Sequence, residues 1–185
     1  MIAIIANRGQ YNHRIYRTLT YLGVESQLIK NTVPLDELEG LGLKGIVIGG
    51  GPFLLESGNS KLIIEKFYKR VPILGICLGH QLLAEVFKGR VREAEIGEYA
   101  DAEIVVDDED EILKGLGPSF TAWVSHKDEV AVIPKGFDRL AHSETCEIEA
   151  MRHKTHPVFG VQFHPEVEHT PKGPALFKNF LSLCE

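Results

Sequence analysis

An unbroken apolar run from Val71 to Ile76 meets the pentapeptide Gly75-Ile76-Cys77-Leu78-Gly79, and a helical pattern from Gln81 to Phe87 follows almost at once. The spacing predicts a buried strand turning into a helix with a thiol at the corner. Strand and helix must cross closely at such a corner, and the glycines on either side of Cys77 remove the side chains that would keep them apart. Cys77 is therefore a candidate nucleophile. A buried, unreactive thiol is the competing reading, and the corner alone does not separate the two.

The segments around the corner repeat its logic. Ile2–Ala6 is a short isoleucine-rich run, followed by apolar residues at helical spacing between His13 and Leu22. Val24–Ile29 reads as a second strand, residues 31–43 as a loop with one helical turn near Leu35, and Gly45–Ile48 as a third strand running into Gly49-Gly50-Gly51-Pro52. Residues 59–70 suggest a helix with Leu62, Ile63, Ile64 and Phe67 inward. Fully apolar strands alternating with helices imply a parallel sheet covered on both faces. The expected fold is thus α/β: a doubly wound, mostly parallel central sheet flanked by helices.

Beyond Gly89 the pattern changes. Residues 89–93, 102–106, 120–124, 129–133, 139–143 and 148–152 read as short strands in antiparallel hairpins, a smaller antiparallel sheet beside the parallel one. Pro157–Phe163 returns to a buried-strand pattern, and a final helix spans about 173–183 with Leu176, Phe177, Phe180 and Leu181 packed.

At 185 residues the chain fits one domain, 1–185. A net charge of −6 argues against a nucleic-acid partner or an anionic membrane surface, since both need a basic face. No apolar run reaches the roughly 20 residues of a membrane span, and the N-terminal run is too short for a signal peptide. The three cysteines, Cys77, Cys146 and Cys184, contain no Cys-x-x-Cys, so a reducing, cytoplasmic setting is expected. Cys146 and Cys184 read as inert thiols. The acidic run Asp107–Glu111 reads as a solvated turn, and His153 and His156 lack the spacing of a zinc site. No metal and no cofactor are expected in this chain.

A nucleophilic cysteine needs a base, and the base needs an orienting group. His164-Pro165-Glu166 closes the Pro157–Phe163 strand, and Pro165 biases His164 toward extended backbone. Residues two apart in extended chain point to one side, so Glu166 can reach the His164 ring. Cys77, His164 and Glu166 form a candidate triad. Alone, His-Pro-Glu reads more readily as a polar turn closing a strand, and its pairing with Gly-x-Cys-x-Gly in a parallel α/β chain reverses that reading. Oxyanion donors are expected from the backbone N–H of Leu78, at a helix N-terminus, and of Gly51 in the glycine run. A phosphate loop is the rival for that run, but no Gly-Lys-Ser/Thr or Gly-x-Gly-x-x-Gly follows.

Gly49-Gly50-Gly51-Pro52, Pro72–Gln81 and Gly160–Glu166 together resemble the class I, or triad, glutamine amidotransferases. The resemblance implies that Cys77 attacks the side-chain amide of L-glutamine to form a glutamyl thioester and release ammonia. It carries Gly50 and Gln81 over as substrate contacts. Ser125-His126-Lys127-Asp128 and His169-Thr170-Pro171-Lys172-Gly173 resemble the GMP synthetase branch of that family, which adds Ser125 and His126 to the substrate contacts; Glu98-Tyr99-Ala100 does too, with alanine where glycine is commoner. His80 is expected to cap the elbow helix.

The Ser-Gly-Gly-x-Asp-Ser loop that binds ATP in that branch is missing. The resemblance therefore implies a glutaminase subunit whose partner, a separate ATP pyrophosphatase subunit, uses Mg-ATP and receives the ammonia. The alternatives are a glutaminase component of another pathway such as anthranilate synthase, or a cysteine hydrolase on the same scaffold. Glutaminases of this family are often idle until their partner binds, so the resemblance leaves open whether His164 is aligned in the chain alone.

Overall fold

The computed structural model describes residues 1–184, with every side chain among them except that of Ile96. Glu185, the last residue of the expected domain, lies outside the described residues.

Strand β1 (Ile2–Ala6) leads into helix α1 (Asn12–Tyr21), β2 (Ser26–Lys30), the short helix α2 (Leu35–Glu39) and β3 (Gly45–Ile48). Helix α3 (Ser60–Phe67), β4 (Ile73–Ile76) and α4 (Leu78–Val86) follow. Two long strands, β5 (Arg90–Val106) and β6 (Ser119–Val132), precede β7 (Phe137–His142), β8 (Ala150–His153), β9 (Val158–Val161) and α5 (Gly173–Leu181). Among the described residues all nine strands belong to one sheet in the order β2-β1-β3-β4-β9-β8-β7-β5-β6. The first five are parallel, and β8, β7, β5 and β6 continue the ladder antiparallel. The antiparallel part predicted beside the parallel sheet is therefore hydrogen-bonded onto its edge.

The period of two along each parallel strand divides the core into two layers. Ile2, Ile4, Val47, Leu74, Ile76 and Phe159 pack on one face beneath α1 and α5, with Ile15, Leu19, Phe177 and Phe180. Ala3, Ile5, Ile46, Ile48, Ile73 and Val158 pack on the other beneath α3 and α4, with Ile63, Ile64, Phe67, Leu82 and Leu83. Burial of both faces is why these strands carry no polar alternation.

Two expectations are corrected. The four short strands at 89–93, 102–106, 120–124 and 129–133 are two long ones, with β5 paired to β6 along almost its whole length. The charges of Glu95, Glu98 and Asp101 interrupt the apolar pattern, but the pairing of β5 with β6 runs on both sides of a bulge between Glu93 and Glu98, which contains Gly97, with a second register shift between Arg90 and Val91. Leu62 is half exposed, because Ser60, Ile63, Ile64 and Phe67, spaced i, i+3, i+4, i+7, take the inward arc of α3 and leave Leu62 outside it. The acidic run Asp107–Glu111 is a largely exposed turn, as expected, in which Asp107 pairs with Arg139 and His142 at 2.9 Å each and Asp110 with Arg152.

Candidate active site

In a parallel sheet the carboxyl ends of the strands form one rim, and ligands bind there. Four such ends converge: the loop after β1 (Asn7–Tyr11), the glycine run after β3, Cys77 after β4 and His164 after β9. They line a cavity of about 660 Å³ that also takes in Gln81, Ser125, His126 and Asp128. Every residue expected at the site lines it except Leu78, which contributes only its backbone from the first turn of α4.

Cys77 has φ +53° and ψ −104°, a left-handed conformation that a side chain beyond glycine adopts at a cost of about 1–3 kcal/mol. The strain is sustained by close packing around it. A Cβ on Gly75 would stand 2.5 Å from the Gly79 carbonyl oxygen, and one on Gly79 would overlap the Ile48 carbonyl oxygen. The helix thus begins at Leu78, three residues earlier than the apolar pattern predicts, and its N-terminus favours negative charge at the thiol.

His164 is pinned as an extension of the sheet. Its N–H donates to the Trp123 carbonyl at 2.9 Å, and its own carbonyl accepts the Thr170 hydroxyl at 2.7 Å. The Thr170 oxygen in turn accepts the Trp123 N–H at 2.9 Å. Glu166 Oε1 lies 2.8 Å from His164 Nδ1, which makes Nδ1–H the donor and directs Nε2 elsewhere. Burial alone would push the imidazole down; the Glu166 carboxylate and the neighbouring Cys77 thiol outweigh it and hold His164 well above its ordinary value. His164 is thus oriented by Glu166 in the chain alone, the point the sequence left open. Tyr11 packs edge-on against the ring, centroids 4.9 Å apart. The Cys77 sulfur meets the Ser125 carbonyl at 3.7 Å.

The glycine run is held from behind by polar side chains. Asn7 Nδ2 donates to the Gly49 carbonyl at 3.0 Å, and Asn12 Nδ2 and the Gly9 N–H both donate to the Gly50 carbonyl at 3.1 Å. Because a trans peptide sets C=O and N–H in opposite directions, these bonds turn the Gly51 N–H away from Asn12. Among the described residues neither the Gly51 nor the Leu78 N–H has a backbone acceptor. A Cβ on Gly50 would lie 3.5 Å from the His164 ring and 3.7 Å from Cys77 Cβ, so this peptide borders the reacting centre.

Gln81 is committed twice, its amide donating to the Asp128 carbonyl at 2.8 Å and to Gln162 Oε1 at 3.2 Å. It ties α4 to β6 and lines the cavity from that position. His80 does not cap the helix. Wholly buried, it reaches the Ile148 carbonyl at 3.1 Å, and burial pushes it down to about 3, so it is a neutral packing residue. Sequence reasoning missed Arg8, Tyr11 and Asn12. Their signal was positional: a loop at the carboxyl end of a strand next to β3.

The chain matches the family described as glutamine amidotransferase class-I over residues 3–184. It belongs to the class I glutamine amidotransferases. A subunit of the glutamine-hydrolyzing GMP synthase of Methanothermobacter thermautotrophicus is 53% identical over 184 residues, covering 100% of this chain and 98% of that one. The same-named protein of Pyrococcus furiosus is 51% identical over 185 residues, with the same coverage. Among solved structures, a candidate GMP synthase subunit from Thermoplasma acidophilum superposes with a TM-score of 0.92 at 37% identity, covering 99% of this amidotransferase and 92% of that chain. A Thermotoga maritima glutamine amidotransferase, at 19% identity and TM-score 0.77 over 98% and 80% of the two chains, shares the fold. No helix among the described residues of this amidotransferase is long and apolar enough to cross a membrane.

Proposed function

We propose that this chain is the glutaminase subunit of a two-subunit GMP synthase, hydrolysing L-glutamine to glutamate and passing ammonia to a separate ATP pyrophosphatase subunit that uses Mg-ATP to aminate XMP. The observation that carries the chemistry is that Cys77, His164 and Glu166 line one cavity, with Glu166 on one nitrogen of the His164 ring and Cys77 neighbouring that ring. The pathway rests on the relatives above.

The Cys77 thiolate attacks the carboxamide carbon, and negative charge moves to the amide oxygen, which the Leu78 and Gly51 N–H groups would receive. His164, protonated and steadied by Glu166, gives its proton to the departing nitrogen; the C–N bond breaks and ammonia leaves. Water then attacks the thioester, His164 takes its proton, and the C–S bond breaks to release glutamate and the thiol. Ser125, Gln81 and the backbone of His126 border the part of the cavity that would take the substrate's amino-acid end.

The test is glutamate release by the chain with and without the ATP pyrophosphatase subunit, XMP and Mg-ATP, repeated with Cys77→Ala. Turnover by the variant is expected to fall by about 10⁴-fold or more. Glutamate release by Cys77→Ala at a comparable rate ends the reading of the nucleophile. Failure to co-purify with the pyrophosphatase, with hydrolysis intact, ends only the pathway.

A further inference from the structure

We propose that His126, Cys146 and Glu149 form a binding site for a divalent cation of borderline softness, Zn²⁺ being the ion whose preferences match a nitrogen, sulfur and oxygen donor set. The three come from β6 and from the connection between β7 and β8, and one ligand atom from each lies within 4.8 Å of the other two. All three are buried, Glu149 completely.

The donors are unspent. His126 Nδ1 lies 3.1 Å from the Asp128 carbonyl, which can only accept, so Nδ1 carries the hydrogen and Nε2 presents a lone pair. Holding one ring nitrogen on a backbone carbonyl so that the other faces an ion is the usual support of a metal-binding histidine. That Nε2 has no hydrogen-bond partner, although Glu98 Oε2 stands 3.1 Å away off the line of a hydrogen bond. Glu149 Oε1 accepts the Ser143 hydroxyl at 2.9 Å, and Oε2 has no partner. A lone pair facing a carboxylate, beside a second buried carboxylate oxygen and a thiol, is an unfavourable arrangement that a shared cation resolves.

The surroundings are acidic as well. Glu98 and Glu129 flank the cluster, and the Arg92 guanidinium, 2.7 Å from Glu129 Oε1, answers Glu129 alone. A surface depression of about 310 Å³, lined by Glu129, Thr145 and Glu147, includes Ser143, whose hydroxyl bonds Glu149. On binding, the thiol and carboxyl protons leave to solvent and the ion takes a thiolate, a carboxylate and a neutral imidazole, so affinity rises with pH. His126 directly follows Ser125, whose carbonyl meets Cys77, and an ion here would fix that edge of the catalytic cavity.

The experiment uses the chelator-stripped Cys77→Ala chain, so that the catalytic thiol cannot bind, titrated with Co²⁺ and then Zn²⁺. Expected are one cobalt per chain by equilibrium dialysis, a thiolate-to-cobalt charge-transfer band in the near ultraviolet, and its bleaching by Zn²⁺. Cys146→Ser removes the band and Cys184→Ser keeps it; the isosteric Glu149→Gln, the fallback should the serine variant not fold, weakens binding by about 10-fold or more. Absence of stoichiometric uptake by the Cys77→Ala chain overturns the proposal, as does a band that survives both Cys146→Ser and Glu149→Gln.

Discussion

Two clusters on either side of the Ser125–His126 peptide are built from the same three residue types, and they differ in shape. In the first, Cys77, His164 and Glu166 stand in a line, with the imidazole between thiol and carboxylate and Nδ1 spent on Glu166 at 2.8 Å. A proton on that ring always has a partner, and His164 is held above its ordinary value. In the second, His126, Cys146 and Glu149 converge on a point, and the ring is tied by a carbonyl outside the cluster. Burial first, and then neighbouring glutamates, push the Cys146 thiol up, and burial pushes the Glu149 carboxyl up to about 8. A line of these groups moves protons; a convergent triangle concentrates lone pairs. Residue type alone does not distinguish the two.

The largest expected effect comes from displacing the line without altering any of its members. Gly79→Ala places a methyl on the Ile48 carbonyl oxygen, a backbone atom that cannot rotate away, so α4 must lift from β3 and carry Cys77 with it. A loss of about 3 kcal/mol, or about 6–12 °C in thermal midpoint, is expected, together with loss of glutamine hydrolysis. Retained turnover in a folded Gly79→Ala chain would show that the corner does not set the position of the thiol.

Glu166→Gln comes next, because it keeps the shape of the line and removes its charge. Turnover should fall by about 10²–10⁴-fold with KM little changed, since the loss is in orienting and stabilising the imidazolium. Stability carries a second signature. With the folded His164 value raised above the unfolded one, its contribution is fully present below about pH 6.5 and is lost as pH rises through the folded value. Denaturation of the wild-type chain should show that decline above about pH 6.5, and Glu166→Gln should flatten it. An unchanged slope would mean that Glu166 does not hold the proton on the ring.

The line was legible in the sequence because Cys77 and His164 each follow a buried strand at a recognisable interruption, glycine-flanked for Cys77 and proline-followed for His164, and Glu166 stands two residues from His164. The parallel half of the fold was legible for the same reason, since a strand buried on both faces is an apolar run. Where one face of a strand meets water, the pattern weakens: β5 and β6 read as four pieces because charges on their open face look like turns. The triangle was not legible at all. Cys146 and Glu149 lie in a connection without periodicity, and His126 is brought to them by the bulged pairing of β5 with β6 and the packing of β7 and β8, none of which is a spacing along the chain. His80 misled for a related reason, because its position in the first turn of α4 suggests a cap while the tight approach of β9 at Gly160 draws the ring into the core.

The smallest effect should come from Cys146→Ser, and its smallness tests whether the clusters are separate. Cys146 does not line the catalytic cavity, so in metal-free protein glutamine turnover should stay within about twofold of wild type. Burying a hydroxyl in place of a thiol beside Glu149 should cost about 1–2 kcal/mol, read as a lower denaturant midpoint with an unchanged slope. Added Co²⁺ should then widen the gap, because an ion that binds only the folded state stabilises the chain that has the sulfur ligand and leaves the serine variant where it was. If turnover instead collapsed in a folded Cys146→Ser chain without metal, the triangle would be part of the catalytic site, and the distinction between line and triangle would fail.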